Sequence, residues 1–265
     1  VDMPLELVVG SLILLDSGWI IGDLRNAYKE LVLRGQWQGT KLSLSDLTVS
    51  NPEWGGAQLQ GAMDFRHPYK VDVAGQFSAA DPPLWGGLKQ ASGELKLSGD
   101  LASLQVDLLL CAELGVRVQG QWDLVSAGLP MDLQARPGCE NHRGPLVLAE
   151  LLEMESLAGV LVEDSWALGI KGDTRSQSLE LGASVSVPKQ DELQLHIRAE
   201  HVPGELRLAK LQVTADPKQS LQLQGDLYYG DQFSWDLAAT LVSFQLPSAV
   251  SPLAGELSGS FQVEG

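Results

Sequence analysis

The residues of this chain that could bind metal ions or transfer protons are few and scattered. His196 and His201 are five residues apart, so on a continuous strand their side chains would lie on opposite faces and could not share a metal ion. His142 follows Cys139 and Glu140 in a stretch typical of a solvated loop, where a loose metal site is the less favoured interpretation. We therefore predict no metal site.

The sequence also lacks the motifs that position a catalytic group. It has no phosphate-binding loop, nucleophile elbow, zinc-protease helix motif or calcium-binding loop. The 34 Asp and Glu residues lie in turns and on polar strand faces, and nothing pairs two carboxylates in an apolar setting. These observations predict a protein that is not an enzyme, with no catalytic residue and no cofactor.

The two cysteines, Cys111 and Cys139, leave two interpretations open. They have neither the CxxC nor the Cys/His spacing of a zinc site. Cys111 ends the apolar run Leu108-Leu109-Leu110, which is typical of a buried small hydrophobic residue. In an oxidising compartment the two residues could instead form a disulfide.

The charge balance restricts the partners. A formal net charge of −16 makes the surface repel phosphate backbones and anionic membrane surfaces, so we expect no nucleic-acid partner. The longest apolar runs are too short to cross a bilayer. The chain begins at Val1 and stops after Phe261-Gln262-Val263 in the middle of a strand pattern, which suggests a piece of a longer protein.

The dominant pattern is an alternation of apolar and polar residues with a period of two. Such alternation predicts strands with one apolar and one polar face, and hence a mostly antiparallel sheet with one wet side. The residues that we predict to line the apolar face are Leu59, Met63, Phe65, Val71, Val73, Phe77, Leu95, Leu97, Val106, Leu108, Val116, Val118, Trp122, Leu181, Val185, Leu195, Ile197, Leu221, Leu223, Leu227, Trp235, Leu237 and Phe261.

A glycine recurs in the middle of these strands, at the place of an inward side chain. Gly61, Gly99, Gly120 and Gly225 each follow an aliphatic–polar alternation. Glycine inside a strand allows a bend, a bulge or a close approach of another backbone. If such glycines recur from strand to strand, they would bend the sheet into a trough. Isolated glycines would instead mark bulges in an ordinary β-sandwich.

The predicted organisation is a single repetitive β segment over residues 1–265, with a soft boundary near 137–145. Turn signals such as Asn51-Pro52 and Pro203-Gly204 separate the strands at irregular intervals. Residues 145–157 depart from the alternation, because Leu148, Leu151 and Leu152 have closer to helical spacing. We predict at most one or two short helices there.

The repeated strand sequences resemble those of the TamB family, within the AsmA-like group of bridge-like lipid transfer proteins. The similarity lies in the repeated strand pattern and in three local stretches: Pro4-Leu5-Glu6-Leu7, Gly22-Asp23-Leu24 and Phe233-Ser234-Trp235-Asp236-Leu237-Ala238-Ala239. It also includes Gly255-Glu256-Leu257-Ser258-Gly259-Ser260-Phe261 and extends over nearly the whole chain. The resemblance implies a U-shaped sheet, or β-taco, with an apolar interior.

The resemblance further implies a location and partners. Members are periplasmic proteins of Gram-negative bacteria with an inner-membrane anchor, and they work with the outer-membrane barrel TamA. The family is implicated in moving phospholipid between the membranes, in protein secretion and in outer-membrane biogenesis. Neither the anchor nor the TamA-binding part is recognisable here, so both would lie in parts of the protein outside this chain.

Three functions therefore remain open. The first is a hydrophobic groove for phospholipid acyl chains. The second is an assembly or chaperone scaffold that pairs strand edges with outer-membrane proteins. The third is a structural β spacer with a filled interior.

Overall fold

The computed structural model describes residues 3–21, 24–51, 55–80, 90–112, 115–139, 146–147, 160–187, 192–216, 219–229, 234–245 and 256–264. Every regular element in these ranges is a β-strand, and the same ranges contain no helix. All recorded strand pairs are antiparallel. The all-β, mostly antiparallel fold predicted from the alternation is confirmed.

The segment with helical spacing is described only in small part. Of residues 145–157, the described ranges contain Leu146–Val147, which form a two-residue strand. Residue 145 and residues 148–157 lie outside the described part of the chain.

The chain divides into two compact units. The N-terminal unit contains residues 1–129 and 138–142, and the C-terminal unit contains residues 130–137 and 143–265. The chain passes from one unit to the other between residues 129 and 143.

The N-terminal unit is an antiparallel meander in which each strand pairs with the next along the chain. Alternating sequences joined by short connections favour this arrangement, because sequential strands can pair through hairpins. Its strands are β1 (Met3–Ile21), β2 (Leu24–Gly39), β3 (Lys41–Asn51), β4 (Gly55–Asp64), β5 (Lys70–Ala80), β6 (Gln90–Asp100), β7 (Leu104–Cys111) and β8 (Gly115–Trp122).

The C-terminal unit is a second antiparallel sheet. Its strands are β9 (Met131–Pro137), β10 (Leu146–Val147), β11 (Leu161–Val162), β12 (Ala167–Gly172), β13 (Gln177–Ser186), β14 (Leu193–Val202), β15 (Glu205–Asp216), β16 (Gln219–Tyr228), β17 (Ser234–Gln245) and β18 (Glu256–Glu264). Strands β12 to β18 pair in chain order, β9 pairs with β12, and β10 pairs with β11. Both β11 and β12 pair with β13, at different parts of its length.

Bulges lie opposite two of the mid-strand glycines, Gly61 and Gly225. Leu44 pairs with Gly61 but Leu47 pairs with Leu59, so β3 has one residue more than β4 at this place. The same offset occurs where Leu208 pairs with Gly225 and Leu211 pairs with Leu223. One extra residue returns both flanking side chains to the same face, which keeps the apolar face continuous.

Gly61 is required by its backbone conformation and by its neighbours. Its φ is +150°, a value that L side chains rarely adopt. A Cβ at this position would collide with the carbonyl oxygen of Asp72 on β5. Of the roles that the sequence allows for this glycine, the structure shows two. Gly61 lies opposite a bulge in β3, and the backbone of β5 approaches it closely.

The enclosed core is small. In the C-terminal unit, Val160, Val185, Val187 and Leu193 form a buried cluster against which Leu195 and Val213 pack. Among the described residues, no large side chain is completely buried.

Candidate functional site

The apolar face of the N-terminal unit is built from rows of aliphatic side chains that cross the strands. One row follows the register from β2 to β8, and its members are Leu33, Leu47, Leu59, Gly75, Leu95, Leu108 and Val118. Directly paired residues point to the same side of a sheet. The row therefore forms a continuous apolar stripe across seven strands, which are spaced about 4.8 Å apart.

The predicted lining residues of this unit all fall on that face. Val73 pairs with Leu97, Leu97 pairs with Val106, and Val118 pairs with Leu108. At the turn end of the face, the ring of Phe65 stacks on Trp37 with centroids 5.1 Å apart. Val71 is buried, and the other predicted residues of this unit are half-buried: Leu59, Met63, Phe65, Val73, Phe77, Leu95, Leu97, Val106, Leu108, Val116, Val118 and Trp122.

The C-terminal unit repeats this arrangement. A row crosses β12 to β18 through Leu168, Leu181, Ile197, Leu211, Leu223, Ala239 and Phe261. The predicted residues Leu181, Leu195, Ile197, Leu221, Leu223, Leu227, Trp235 and Leu237 are half-buried on this face. Phe261 is 50% exposed, whereas Val185 belongs to the enclosed cluster and is 8% exposed.

Several residues of the two faces were missing from the predicted lining. Leu47 and Leu211 lie on the apolar faces because a bulge precedes each of them in its strand. Leu47 is three residues from Leu44, and strict alternation would place the two on opposite sides. The sequence did carry a signal for these residues. Each is an apolar residue shifted by one position from the alternation of its own strand, and the strand that follows it has a central glycine.

The opposite face of each sheet carries ion pairs. Arg117 donates to Asp107 at 2.9 Å through Nε and at 2.6 Å through Nη2, and Gln119 donates to the same carboxylate at 3.0 Å. The hydrogen bond from Arg117 holds the pKa of Asp107 below its ordinary value. On the C-terminal unit, hydrogen bonds from His196 and Arg198 likewise lower the pKa of Glu180.

Two depressions of the N-terminal unit are lined mainly by residues of this polar side. One of about 610 Å³ is lined by Gln58, Gln76, Glu94, Asp107 and Arg117 among others. Another of about 900 Å³ lies near the turn between β4 and β5. The side chains of the apolar face of this unit are mostly half-buried.

A disulfide joins Cys111 to Cys139 on the polar side of β7 and β8. The amide of Gly138 donates to the carbonyl of Gly115 at 3.1 Å, and Gly138 lies directly against Leu109 and Arg117. Leu109 points to the polar side of β7, and this contact shields it. Cys139 is 7% exposed, so the bond is protected from solvent on that side.

The described residues contain no helix long and apolar enough to span a membrane. In the same ranges, no group of three or more His, Cys, Asp and Glu residues is arranged to hold a metal ion.

Comparison with known proteins gives one match. The family described as "TamB, N-terminal domain" matches residues 1–265. No curated protein matches the chain, and no solved structure matches it. The family match covers every residue and agrees with the repeated β pattern on which the resemblance was based. The chain therefore belongs to the TamB family, whose members are envelope proteins of Gram-negative bacteria that act in transport and assembly at the outer membrane.

Proposed function

We propose that the apolar face of each unit binds the acyl chains of phospholipid in the periplasm, as part of the transfer of lipid between the inner and outer membranes. The observation that carries the proposal is the continuity of the apolar rows together with the half-exposure of their side chains. A packed core would bury these side chains completely, whereas a ligand-binding face leaves them accessible.

The energetics of burial suit such a ligand. An acyl chain of about 16 carbons gains on the order of 12 kcal/mol when it is fully buried, at about 0.8 kcal/mol per methylene. On an open face roughly half of that surface would be covered, which gives about 6 kcal/mol. This is enough to hold a tail, and the many equivalent positions along a row would let the tail move from one strand to the next.

The first test is native mass spectrometry of the purified chain before and after delipidation. We expect masses that correspond to bound phospholipid before the treatment, and recovery of these masses when lipid is added back. A chain that carries no lipid and cannot be loaded would contradict the proposal. The family's role in assembly would then favour a scaffold for outer-membrane proteins or a spacer.

The second test compares two neighbouring residues of β16 that face opposite ways. Leu223 lies in the apolar row of the C-terminal unit, and the adjacent Gln222 is exposed on the polar face. Leu223→Asp should reduce lipid loading about tenfold or more, because it places a charge against the acyl chain. Gln222→Asp introduces the same charge and should leave loading unchanged.

A matching pair is available in the N-terminal unit. Val118→Asp alters the apolar row, and Gln121→Asp changes an exposed residue of the same strand. Gln119 is unsuitable as a control because its side chain donates to Asp107. Equal lipid loading of the Val118 and Gln121 variants would exclude this face as a binding surface.

A further inference from the structure

The connection that follows β8 presents apolar side chains to solvent. Within residues 123–129, the side chains of Leu124, Val125 and Leu129 are 36%, 55% and 37% exposed. A single exposed apolar residue is ordinary on a protein surface. Three of them in one short connection form a patch, and such patches mark places where a partner binds.

Hydrogen bonds hold the backbone of this connection in place. The carboxylate of Asp123 accepts from the amides of Val125 at 2.8 Å and Ser126 at 2.9 Å, and the amide of Leu129 donates to the carbonyl of Ser126 at 3.1 Å. The indole of Trp122 donates to the carbonyl of Leu129 at 3.2 Å. The φ of Leu129 is +52°, a conformation that leucine rarely adopts. The structure therefore fixes these side chains in exposed positions.

Two neighbouring turns lie beside the connection. The amide of Leu124 donates to the carbonyl of Leu101 at 2.7 Å, and the amide of Leu101 donates to the carbonyl of Tyr69 at 3.3 Å. Tyr69 lies between β4 and β5 and is also exposed. We call Tyr69, Leu124, Val125 and Leu129 the apolar tip. It lies at one end of the strands of the N-terminal unit.

The apolar tip is connected to the apolar face of the same unit. Trp122, whose indole is bonded to the carbonyl of Leu129, pairs with the buried Leu104 of β7. The next pair on this face consists of Val106 and Gly120, and the pair after it belongs to the apolar row. An apolar path therefore leads from the tip through Trp122 to the rows that we propose to bind acyl chains.

The chemistry of the tip favours a lipid surface over a protein partner. Leu124, Val125 and Leu129 carry no group for a directional contact, and burial in hydrocarbon is non-directional. Protein interfaces depend mostly on aromatic and arginine anchors that fill pockets. Tyr69 and Trp122 combine an apolar ring with one polar atom, and such side chains are enriched at the boundary between lipid and water.

The charges around the tip specify the kind of lipid surface. The net charge of the chain is −16, and Asp100 and Asp123 belong to the turns of the tip. Nearby basic residues do not reverse this charge, because Arg66 forms an ion pair with Asp64 at 2.8 Å and Lys70 lies opposite Asp100 in the strand register. An anionic bilayer would repel such a surface, whereas a zwitterionic bilayer would not.

We propose that the apolar tip inserts into the surface of a zwitterionic phospholipid bilayer, where acyl chains pass between the bilayer and the apolar face. The inference rests on the proposed lipid-binding function for what is transferred, and it adds the place where the chain meets its lipid source. Insertion through apolar burial depends little on salt, because no basic patch attracts the membrane.

The test uses the full chain and two double variants. Leu124→Ser with Val125→Ser removes two aliphatic side chains of the tip. The matched control is Val8→Ser with Ile13→Ser, because Val8 and Ile13 are exposed by 61% and 52% on β1, which is the first strand of the meander whereas β8 is the last. A third variant, Val125→Trp, adds an interfacial side chain to the tip.

Three measurements are compared. Flotation with phosphatidylcholine vesicles measures membrane binding, and the uptake of fluorescent phosphatidylcholine from these vesicles measures transfer. Calorimetric titration with monomeric dihexanoyl phosphatidylcholine measures binding to the apolar face, because this probe needs no bilayer. Vesicles that contain phosphatidylglycerol provide the anionic surface.

We expect the tip double variant to bind vesicles and to take up lipid about tenfold more weakly than the wild type, because less apolar surface is buried in the membrane. The control should behave as the wild type, and Val125→Trp should bind vesicles more tightly. All chains should bind dihexanoyl phosphatidylcholine equally. Added salt should leave binding to phosphatidylcholine vesicles unchanged, and phosphatidylglycerol should weaken it.

The outcomes separate this inference from the proposed function. If the tip double variant binds vesicles and takes up lipid as the control does, the inference is wrong. It is also wrong if the wild type binds no vesicles, and a protein partner for the tip is then the alternative. In both cases binding of dihexanoyl phosphatidylcholine would still support the apolar face. If vesicle binding requires the tip but no chain binds this probe or takes up lipid, membrane insertion is supported and the lipid-binding function is contradicted.

Discussion

At the scale of single residues, each strand separates two kinds of chemistry. On β7, Leu108 faces the apolar row while its neighbour Asp107 is held by Arg117 and Gln119 on the other side. The alternation of side chains in a strand imposes this separation. Charged residues are consequently satisfied by cross-strand partners, and the apolar side is left to aliphatic and aromatic groups.

The Asp107–Arg117 pair predicts a pH dependence of stability. The hydrogen bond from Arg117 lowers the pKa of Asp107, so the ionised carboxylate stabilises the folded state above the pKa of an unfolded aspartate, about 3.9. Because the pair is partly exposed, Asp107→Asn should cost roughly 0.5–1 kcal/mol at pH 7. Thermal unfolding should show the difference from wild type shrinking as the pH falls below 4.

Asp132→Asn provides the control for this measurement. Asp132 pairs with Lys171, and both side chains are more exposed than those of the Asp107 pair. Its substitution should change the midpoint of unfolding little at either pH. A larger effect at Asp132 than at Asp107 would contradict the ranking of the two pairs by exposure.

At the scale of the strands, glycines and bulges work together. Gly61 and Gly225 each lie opposite the residue that begins a bulge in the neighbouring strand. A bulge strengthens the local twist and bends its strand, and a glycine partner makes room for the closer backbone. The same pairing of a glycine with a bulge therefore occurs in both units.

Gly61→Ala tests this requirement. The new Cβ would meet the Asp72 carbonyl, and the φ of +150° would be strained, so we expect a loss of about 1–3 kcal/mol of stability. Gly10→Ala in the same unit is the control, because no atom lies within 4 Å of a Cβ built there. Chemical unfolding of both variants measures the difference, and equal stabilities would refute the role given to Gly61.

The disulfide is the other feature at this scale. It closes a loop between Cys111 and Cys139, which are 28 residues apart. In the chain-entropy account a loop of this size is worth about 3.5 kcal/mol. Reduction should lower the midpoint of thermal unfolding and speed hydrogen exchange at the amide of Gly138. The Cys111→Ser, Cys139→Ser double variant should resemble the reduced protein and should not respond to reductant.

At the scale of the whole molecule, charge opposes the tendency of apolar faces to associate. The net charge of −16 keeps copies of the chain apart, and the calculated isoelectric point is about 4.5. In each unit the apolar side chains remain half-exposed, so solubility depends on that repulsion. The same charge disfavours binding to nucleic acid.

Acidification should therefore cause association. Light scattering of the delipidated protein should rise as the pH approaches 4.5, where the repulsion disappears. Loading with lipid should reduce the rise, because the ligand covers part of the apolar face. Scattering that stays unchanged through this pH, with or without lipid, would argue that the apolar faces are inaccessible.

The sequence by itself determined the all-β fold class and which residues lie on the apolar and polar faces of most strands. Both follow from a period of two, which is a local property of the extended backbone. Residues such as Val118 and Leu223 could be placed on the apolar side from their own neighbours alone. The family could also be recognised from the sequence, because the repeated strand pattern extends along nearly the whole chain.

Only the tertiary structure decided the register, the bulges and the clusters that depend on them. Leu44 and Leu47 share a face because an extra residue in β3 is accommodated opposite β4, which strict alternation does not predict. The pairing of Cys111 with Cys139 likewise depends on how distant segments align. The physical reason is that a pairing shift of one residue changes the face of every side chain, and that choice is made between strands.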